Sequence, residues 1–419
     1  MKVAAIIAEY NPFHKGHLYH IEQTKKITDC DYLIIVMSGD YTQRGEPAIF
    51  DKYFRTHQAL MNGADLVLEL PSLFSTASAE GFAFGAISLL HKLGVCNFLS
   101  FGSETGEAHP LKEAALFLNK EPDSYQRILK TYLKEGNNYP TARTMALQAF
   151  FPKIDSNCFH GSNNILALEY YRALDYFHSP IKAIPIKRIH NNYNDSSLAK
   201  EGLFSSATAI RNAISTTDLL HNSQEFLFST LKNTLPESFF TVQKEEYLSL
   251  HPVFPKDFSL LLHYKLLTET SESILGYLDI NRELASRIYN KVNTYTDWDS
   301  FCQLLKSKEI THTRIRRCLL HLLLNLGKEE MEYYKANNYC PYAKVLGFRK
   351  SSTALLHKIK ENSSIPLITK NAKASSLLSE RDFSLFAKEC SNSHIYQTVV
   401  SHKYHLALQN EYTKTPVMI

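Results

Sequence analysis

Short apolar runs alternate with stretches of helical periodicity along the first 215 residues of the chain. The apolar runs predict strands at Val3–Ala8, Tyr32–Met37, Asp65–Leu70, Asn97–Phe101 and Ile181–Ile186. The periodic stretches between them predict helices at Leu18–Thr28, Lys52–Asn62, Ala79–Leu93 and Asn164–Tyr176. Because near-continuous apolar strands joined by helices are typical of a parallel sheet covered on both faces, we expect an α/β fold with a Rossmann-like parallel sheet.

The pattern changes at three places along the chain. Residues 107–160 are helical and charged, and we interpret them as an insertion beside the cleft of the α/β part. From residue 216 onward strand signals become rare, and helical patterns run to about Leu326. A segment at Cys340–Phe348 that contains proline and glycine precedes further α/β-like sequence. We therefore expect an α/β domain over residues 1–215 and a mainly helical domain over residues 216–419.

The composition is that of an ordinary globular protein, with 44% apolar and 21% charged residues among 419 and a net charge of +4. That charge allows a polyanionic partner without requiring one. The seven cysteines are scattered without metal-ligand spacing, which favours reduced thiols over a disulfide framework or a zinc site. The first apolar stretch is too short for a signal peptide, and no run reaches the roughly 18 apolar residues of a membrane span. We expect a cytoplasmic protein with no membrane partner.

Four polar turn segments follow the predicted strands or lie close to them. They are Asn11–His17, Ser38–Arg44, Ser72–Ser78 and Gly102–Gly106. Because ligands of parallel sheets bind beyond the carboxyl ends of the strands, we expect these segments to converge on one cleft.

The most informative of these turns reads His14-Lys15-Gly16-His17, between the first strand and the first helix. Histidines three residues apart share one face of a helix, so both can reach one phosphate group. Gly16 would let that phosphate approach unpaired backbone N–H groups at the start of the helix. The alternative is a capped helix whose histidines are only surface polar groups.

A second candidate phosphate element follows the last predicted strand. In Phe204–Arg211, Ser205 or Ser206 can cap a helix, and Arg211 lies one to two turns into it. Taken alone, a serine cap with a solvated arginine is the better explanation of this segment. Beside the His14–His17 turn, binding of the same anion by both segments is the better interpretation.

Together these two motifs resemble those of the HIGH-type nucleotidyltransferase superfamily, namely (H/T)xGH and ISSTxxR. Further blocks are similar to the bacterial tRNA(Met) cytidine acetate ligase family. These blocks are Glu9–His14, Met37–Gly39, Gln43–Pro47, Asp65–Pro71, Phe101–Glu104, Ile186–Arg188, Thr311–Arg317 and Pro341–Phe348. The resemblance covers nearly the whole chain.

The resemblance implies a reaction and an ATP site. ATP would activate acetate as acetyl-adenylate with release of pyrophosphate, and the acetyl group would pass to N4 of the wobble cytidine (position 34) of elongator tRNA(Met). Residues 1–215 would form the catalytic domain and residues 216–419 the tRNA-binding domain. Carried over by position, the ATP site comprises Ile7, Ala8, Glu9, Tyr10, Asn11, Pro12, Phe13, His14, Lys15, Gly16, His17, Leu18, Tyr19, His20, Gly102, Asn163 or Asn164, and Arg188, with Ser205 and Ser206. His14, His17 and Arg211 would stabilise phosphate charge as catalytic residues.

The remaining expectations concern the metal and the RNA. Mg²⁺ would accompany the triphosphate, although no carboxylate pair identifies itself as a ligand. In the stretch from Thr311 to Leu326, Arg314, Arg317 and His321 occupy a basic face that could contact RNA phosphates. A solvated helix face is the plainer explanation of that pattern. The sequence leaves the oligomeric state open.

Two other functions remain compatible with the sequence. One is an adenylyltransferase that acts on a small phosphorylated metabolite, which the α/β part alone does not exclude. The other is a catalytically silent RNA-binding protein, against which the intact His14, His17, Ser206 and Arg211 speak.

Overall fold

The computed structural model describes residues 1–188, 204–215, 231–241 and 251–419. In this part of the chain one eight-stranded sheet has the order β10-β8-β5-β2-β1-β6-β7, with β9 beside β8. Its strands are β1 (Val3–Ala8), β2 (Tyr32–Ser38), β5 (Leu66–Leu70), β6 (Phe98–Ser103), β7 (Lys182–Lys187), β8 (Ala343–Phe348), β9 (Leu367–Ile368) and β10 (Val417–Met418). A separate ribbon pairs β3 (Tyr41–Thr42) with β4 (Glu46–Pro47).

Helices connect and cover these strands. In the first half they are α1 (Lys15–Thr28), α2 (Lys52–Met61), α3 (Ser72–Ser75), α4 (Ala79–Leu93), α5 (Ala108–Lys120), α6 (Asp123–Lys134), α7 (Tyr139–Phe150), α8 (Ser162–Tyr176) and α9 (Ala207–Ser215). They continue with α10 (Glu237–Thr241), α11 (Ser259–Leu267), α12 (Ser271–Leu275), α13 (Arg282–Lys291), α14 (Trp298–Leu305), α15 (His312–Leu323), α16 (Lys328–Ala336), α17 (Thr353–Asn362), α18 (Ala374–Leu377) and α19 (Glu380–Tyr404).

The predicted parallel sheet is confirmed, with strand bounds within two residues of those expected. β2, β1, β6 and β7 are parallel neighbours, and β5 joins β2 in the same direction. Alternate residues of each strand enter different cores: Ala5 and Ile34 pack with α4, whereas Ala4 and Leu33 pack with α1 and α2. Burial on both faces explains why these strands read as continuous apolar runs.

The sheet does not end at residue 215. Strand β8 pairs antiparallel with β5 and carries β9 and β10 beside it. One hydrophobic core also includes side chains from both halves of the chain, from Leu68 and Phe74 to Leu319 and Phe386. Residues 343–419 therefore extend the α/β layer, and the mainly helical stretch lies between two segments that contribute to one sheet.

A cluster of buried charges fastens the C-terminal strands to this sheet edge. We call it the edge cluster: Lys52 on α2, Glu69 on β5, Lys344 on β8, and Glu411. Each lysine Nζ lies 2.6–2.8 Å from a carboxylate oxygen of both glutamates. All four side chains are at most 4% exposed. Each of these charges therefore has opposite charges at hydrogen-bond distance, as burial requires.

Among the helices that the structure describes, none has both the length and the apolar character needed to cross a membrane.

Candidate active site

A cavity of about 760 Å³ opens at the carboxyl ends of β1, β6 and β7. The predicted site residues that border it are Ile7, Ala8, Glu9, Tyr10, Asn11, His14, Gly16, His17, Tyr19, His20, Gly102, Asn163, Arg188, Ser205, Ser206 and Arg211. Pro12, Phe13, Lys15, Leu18 and Asn164 do not border it; Pro12 and Phe13 are buried within the loop, and Lys15 and Leu18 are only partly exposed. The two candidate phosphate motifs therefore meet at one site, as expected from the position of ligands in parallel sheets.

The β1–α1 loop fixes the two motif histidines against each other. His14 is the N-cap of α1, and its Nδ1 accepts the N–H of Gly16 at 3.0 Å. The backbone N–H of His14 points to Nδ1 of His17 at 3.3 Å. The two rings stack with their centroids 3.8 Å apart. Because both Nδ1 atoms accept hydrogen bonds, a neutral imidazole at either position carries its proton on Nε2.

Both imidazoles are neutral at physiological pH. Burial lowers the pKa of His14 to about 3, and the positive charges of Arg188 and Arg211 lower it further. Burial also holds the pKa of His17 well below its usual range, with His14 and Arg188 contributing. Each histidine therefore offers an Nε2–H donor at the cavity wall while carrying no charge of its own.

Gly16 has a different role from the one expected. Its N–H is engaged by the His14 ring, and the N–H of Lys15 donates to the carbonyl of Thr234 at 3.0 Å. The expectation of unpaired N–H groups at the start of this helix is therefore wrong for Lys15 and Gly16. A Cβ atom on Gly16 would lie 2.8 Å from Cε1 of His14. Glycine is needed here because the capping imidazole lies directly over this position.

The second motif caps helix α9 and reaches back to the first. Ser206 Oγ accepts the N–H of Ala209 at 3.0 Å, so Ser206, of the two serines considered, supplies this capping bond. Nη1 of Arg211 donates to the carbonyl of Asn11 at 2.8 Å, and its Nη2 lies 3.3 Å from Thr208 Oγ1. The arginine is thereby held across the β1–α1 loop.

The two asparagines have different environments. Asn164 is fully buried, and its Oδ1 accepts from Ser103 Oγ at 2.7 Å and from the N–H of Glu104 at 3.0 Å. Asn163 donates its Nδ2–H to Glu104 Oε1 at 2.8 Å and borders the cavity. Asn163 is therefore the member of the pair that a ligand can reach.

Gly102 and Arg188 lie side by side at the ends of β6 and β7. A Cβ atom on Gly102 would be 3.4 Å from Cγ of Arg188, an ordinary contact, so the protein alone does not require glycine there. Burial lowers the pKa of the Arg188 guanidinium while Glu104 opposes that effect. Arg188 is therefore a solvent-accessible cation at the cavity wall beside a bare strand end, which is a suitable position for an anionic ligand.

Two residues of the segment Gln43–Pro47, Gln43 and Arg44, border the cavity. The N–H of Gln43 donates to Glu9 Oε1 at 2.7 Å. Burial raises the pKa of Glu9, and the charge of Arg44 opposes this. Gly45 adopts a φ of +76° and lies so close to α15 that a Cβ would be 2.2 Å from the backbone N of Arg317. Glycine is required at this position on both counts.

The three residues of the predicted RNA-contacting face of α15 differ in their exposure. Arg314 and Arg317 are partly exposed and border the cavity. Nε of Arg317 lies 2.7 Å from Asp279 Oδ2, and Nη2 of Arg314 donates to the Asp279 carbonyl at 2.8 Å. His321 is fully buried, with ring nitrogens 2.9 and 3.1 Å from the carbonyls of Thr76 and Leu278. The prediction that His321 contacts RNA is therefore wrong, because this part of the face packs against α3 and the segment before α13.

The sequence predicts the insertion beside the cleft, but it assigns none of the insertion's residues to the ATP site. The structure adds Asn138, Tyr139, Arg143, Thr144 and Phe159 from the insertion and Glu169 and Tyr170 from α8. Arg143 is ion-paired with Glu169 and almost fully buried. No motif marks these positions, and only the partly apolar character of α7 and α8 points to burial.

Among the described residues no group of three or more histidine, cysteine or carboxylate side chains is placed to hold a metal ion.

Comparison with known proteins agrees with this geometry. Residues 1–411 match the family described as HIGH Nucleotidyl Transferase, so the chain belongs to the HIGH nucleotidyltransferases. The tRNA(Met) cytidine acetate ligase of Clostridium acetobutylicum is 41% identical over 379 residues, which cover 88% of this chain and 90% of that protein. The ligase of a Thermoanaerobacter species is 38% identical over 397 residues, covering 94% and 95% of the two chains. Within the HIGH nucleotidyltransferases, the chain therefore belongs to the tRNA(Met) cytidine acetate ligase family.

Solved structures extend the similarity to the whole fold. The crystal structure of Thermotoga maritima TmcAL in its apo form has a TM-score of 0.90 and 30% sequence identity, covering 100% of both chains. The same protein bound with alpha-thio ATP has a TM-score of 0.87, again over 100% of both chains.

Proposed function

We propose that this protein is an ATP-dependent tRNA(Met) cytidine acetate ligase. The observation that carries the proposal is the meeting of His14, His17 and Arg211 at one cavity in a chain of this family. The related enzymes carry that name, and TmcAL of T. maritima binds alpha-thio ATP. Because such a reaction begins on a small ligand and ends on RNA, the protein would act where tRNA is found, in the cytoplasm.

In the first step an acetate oxygen attacks the α-phosphorus of ATP, an acetyl–phosphate anhydride bond forms, and pyrophosphate leaves. This step needs in-line positioning and stabilisation of negative charge on phosphate oxygens more than it needs a protein nucleophile. The Nε2–H groups of His14 and His17 and the guanidinium of Arg211 are the donors that we assign to that charge. Neutral histidines suit this role because they can donate before the ligand arrives without repelling the nearby arginines.

The nucleotide would lie across the ends of β6 and β7. We assign its contacts to Gly102, Asn163 and Arg188, with Ser206 and the start of α9 close to the phosphates. Asn164 would support the site from behind by holding Ser103 and Glu104. Mg²⁺ would be bound chiefly by the triphosphate itself, since this ion often keeps its waters and uses substrate phosphates as ligands.

In the second step N4 of the wobble cytidine attacks the acetyl carbonyl, the N–C bond forms and AMP leaves. The tRNA would approach along α15, where Arg314 and Arg317 border the cavity. A backbone phosphate can replace the Asp279 carboxylate as the partner of Arg317, because both are anions with oxygen acceptors, and it can accept from Arg314 in place of the Asp279 carbonyl.

The test is to incubate the protein with ATP, labelled acetate and elongator tRNA(Met), and to analyse the nucleosides by mass spectrometry. We expect N4-acetylcytidine to form at the wobble position without acetyl-CoA, and a tRNA with uridine at that position to remain unlabelled. Product from acetyl-CoA but not from acetate would overturn the proposal. Pyrophosphate release that depends on a phosphorylated metabolite and ignores acetate would favour an adenylyltransferase. RNA binding without any turnover would favour a silent RNA-binding protein.

A further inference from the structure

One buried carboxylate near the cavity has no part in the reaction described above. Glu46, on β4, is 6% exposed and lies between two arginines from distant parts of the chain. Its Oε2 is 2.9 Å from Nη1 of Arg316, on α15, and its Oε1 is 3.4 Å from Nη2 of Arg211. A single carboxylate therefore joins the motif arginine of the ATP site to the helix that carries the basic face.

The backbone at Glu46 is fixed independently of this ion pair. Glu46 pairs with Thr42 in the β3–β4 ribbon, and the Thr42 hydroxyl donates to the Glu46 carbonyl at 3.1 Å. Gly45, directly before it, packs against the α15 backbone with a positive φ. The carboxylate therefore projects from a loop whose backbone is already ordered, so holding a partner costs side-chain entropy but little backbone entropy.

Arg211 depends on few contacts for its orientation. The structure gives its guanidinium the Asn11 carbonyl on one side and Thr208 Oγ1 and Glu46 on the other. A planar guanidinium has five N–H donors, so these contacts leave donors to meet a phosphate. Glu46 is the charged member of this set, so it adds an electrostatic attraction to the hydrogen bond that the Asn11 carbonyl accepts.

Arg316 limits how much of the Arg211 charge Glu46 neutralises. The carboxylate lies closer to Arg316 than to Arg211. If it paired with Arg211 alone, the ion pair would shorten and a triphosphate would have to compete with the carboxylate for the same guanidinium. Arg316 is itself shared, because its Nη2 lies 2.8 Å from Asp299 Oδ1.

We propose that Glu46 is a positioning residue that holds the Arg211 guanidinium for the triphosphate, and that Arg316 sets how tightly it does so. The helical part of the chain and the ATP site are then coupled through one carboxylate. This inference rests on the proposed function, since it deepens the role that we assign to Arg211.

A double-mutant cycle tests the coupling in acetate-dependent ATP–pyrophosphate exchange, which needs no tRNA. Glu46→Gln keeps the shape and one acceptor oxygen, and we expect kcat/KM for ATP to fall about tenfold. In an Arg211→Ala background the same change should have less than about a twofold effect, because the group that Glu46 positions is gone. Unchanged activity of Glu46→Gln, or losses that simply add in the double variant, would overturn the proposal.

Asp299→Asn is the matched control. It removes the other carboxylate partner of Arg316 and makes no contact with Arg211, so exchange should stay within about twofold of wild type. An equal fall in Asp299→Asn and Glu46→Gln would show that both act by displacing α15, and would refute positioning of Arg211. Thermal unfolding of each variant shows whether it is folded.

Arg316→Met is a second test, and it should change KM for ATP more than kcat. Loss of Arg316, the nearer of the two arginines, leaves Glu46 freer to pair with Arg211, so KM for ATP should rise about threefold or more while kcat changes less. A fall in kcat with unchanged KM would contradict the sharing of charge.

If wild type shows no acetate-dependent exchange, the proposed function fails, and binding of ATP by calorimetry then decides the inference. Weaker ATP binding by Glu46→Gln than by Asp299→Asn supports it, and equal binding overturns it.

Discussion

At the β5–β8 edge of the sheet, Lys52 and Lys344 each lie within 2.8 Å of two carboxylates. At the cavity, by contrast, His14 and His17 are neutral and Arg211 lies 3.4 Å from a carboxylate that it shares with another arginine. Both places bury polar groups, but only the edge cluster pairs every charge closely. An interior cluster that never meets a ligand must satisfy its charges internally. A site that receives an anion can leave donors for the ligand to complete.

The largest effect should come from breaking the edge cluster. Lys344→Met leaves Glu69 and Glu411 with Lys52 as their shared lysine, in a position that water does not reach. Removing one partner of a buried ion pair typically costs about 3–5 kcal/mol. We expect a loss of this size in the free energy of unfolding measured with urea. The arrangement of the residues that border the cavity should not change.

Lys2→Met is the matched control for that substitution. Lys2 pairs with Asp29 at 2.9 Å, a similar distance, but both side chains are exposed. Solvent screening should make its removal undetectable in the same measurement. If both variants lost stability equally, burial would not be what distinguishes the edge cluster.

The next effect should appear in turnover and leave stability nearly unchanged. His17→Asn removes an Nε2–H donor at the cavity, and loss of one such donor typically slows the chemical step about 10²–10³-fold. We expect acetate-dependent pyrophosphate exchange to fall by this factor, while the free energy of unfolding changes by about 1 kcal/mol or less. His109→Asn is the control, since the His109 side chain is 90% exposed in the insertion. A His17→Asn protein with full exchange activity would remove the contrast between cavity and edge cluster.

The same contrast explains what could be predicted from the sequence. The loop from Asn11 to His17 is local: a strand, a turn and a helix start follow one another, so its position at the sheet end could be predicted from the apolar pattern. The tautomers of the two histidines could not, because they depend on ring nitrogens that accept backbone N–H groups. The role of Gly16 was misread for the same reason.

Contacts between distant segments were the main source of error. Periodicity gave α15 a basic face, but it does not say that Thr76 and Leu278 cover one end of that face and bury His321. Glu46 had no visible role because its partners, Arg211 and Arg316, lie more than a hundred residues away along the chain. Strand β8 was missed for a related reason: it contains Lys344 and Gly347, and it joins β5 antiparallel from the far end of the chain.

The smallest effect that we predict concerns the pH dependence of stability, and the two regions should contribute slopes of opposite sign. Beside the edge cluster, Glu389 accepts hydrogen bonds from the N–H of Ser72 at 2.6 Å and from its hydroxyl at 2.8 Å. Burial raises the pKa of Glu389 from 4.5 to about 7, and the nearby Glu69 adds to the rise. Between these values the folded protein binds a proton that the unfolded chain has released. The free energy of unfolding should therefore fall as pH rises through this range.

At the cavity the sign is reversed. Burial lowers the pKa of His20 from 6.5 to about 4, with Arg188 contributing. Between these values the unfolded chain binds a proton that the folded protein does not, so this residue makes the free energy of unfolding fall as pH drops below 6.5. Urea unfolding at several pH values from 4.5 to 7 should show that Glu389→Gln makes stability rise more steeply with pH, and that His20→Asn makes the rise shallower. If both substitutions changed the slope in the same direction, the two regions would not differ in the way their buried groups hold protons.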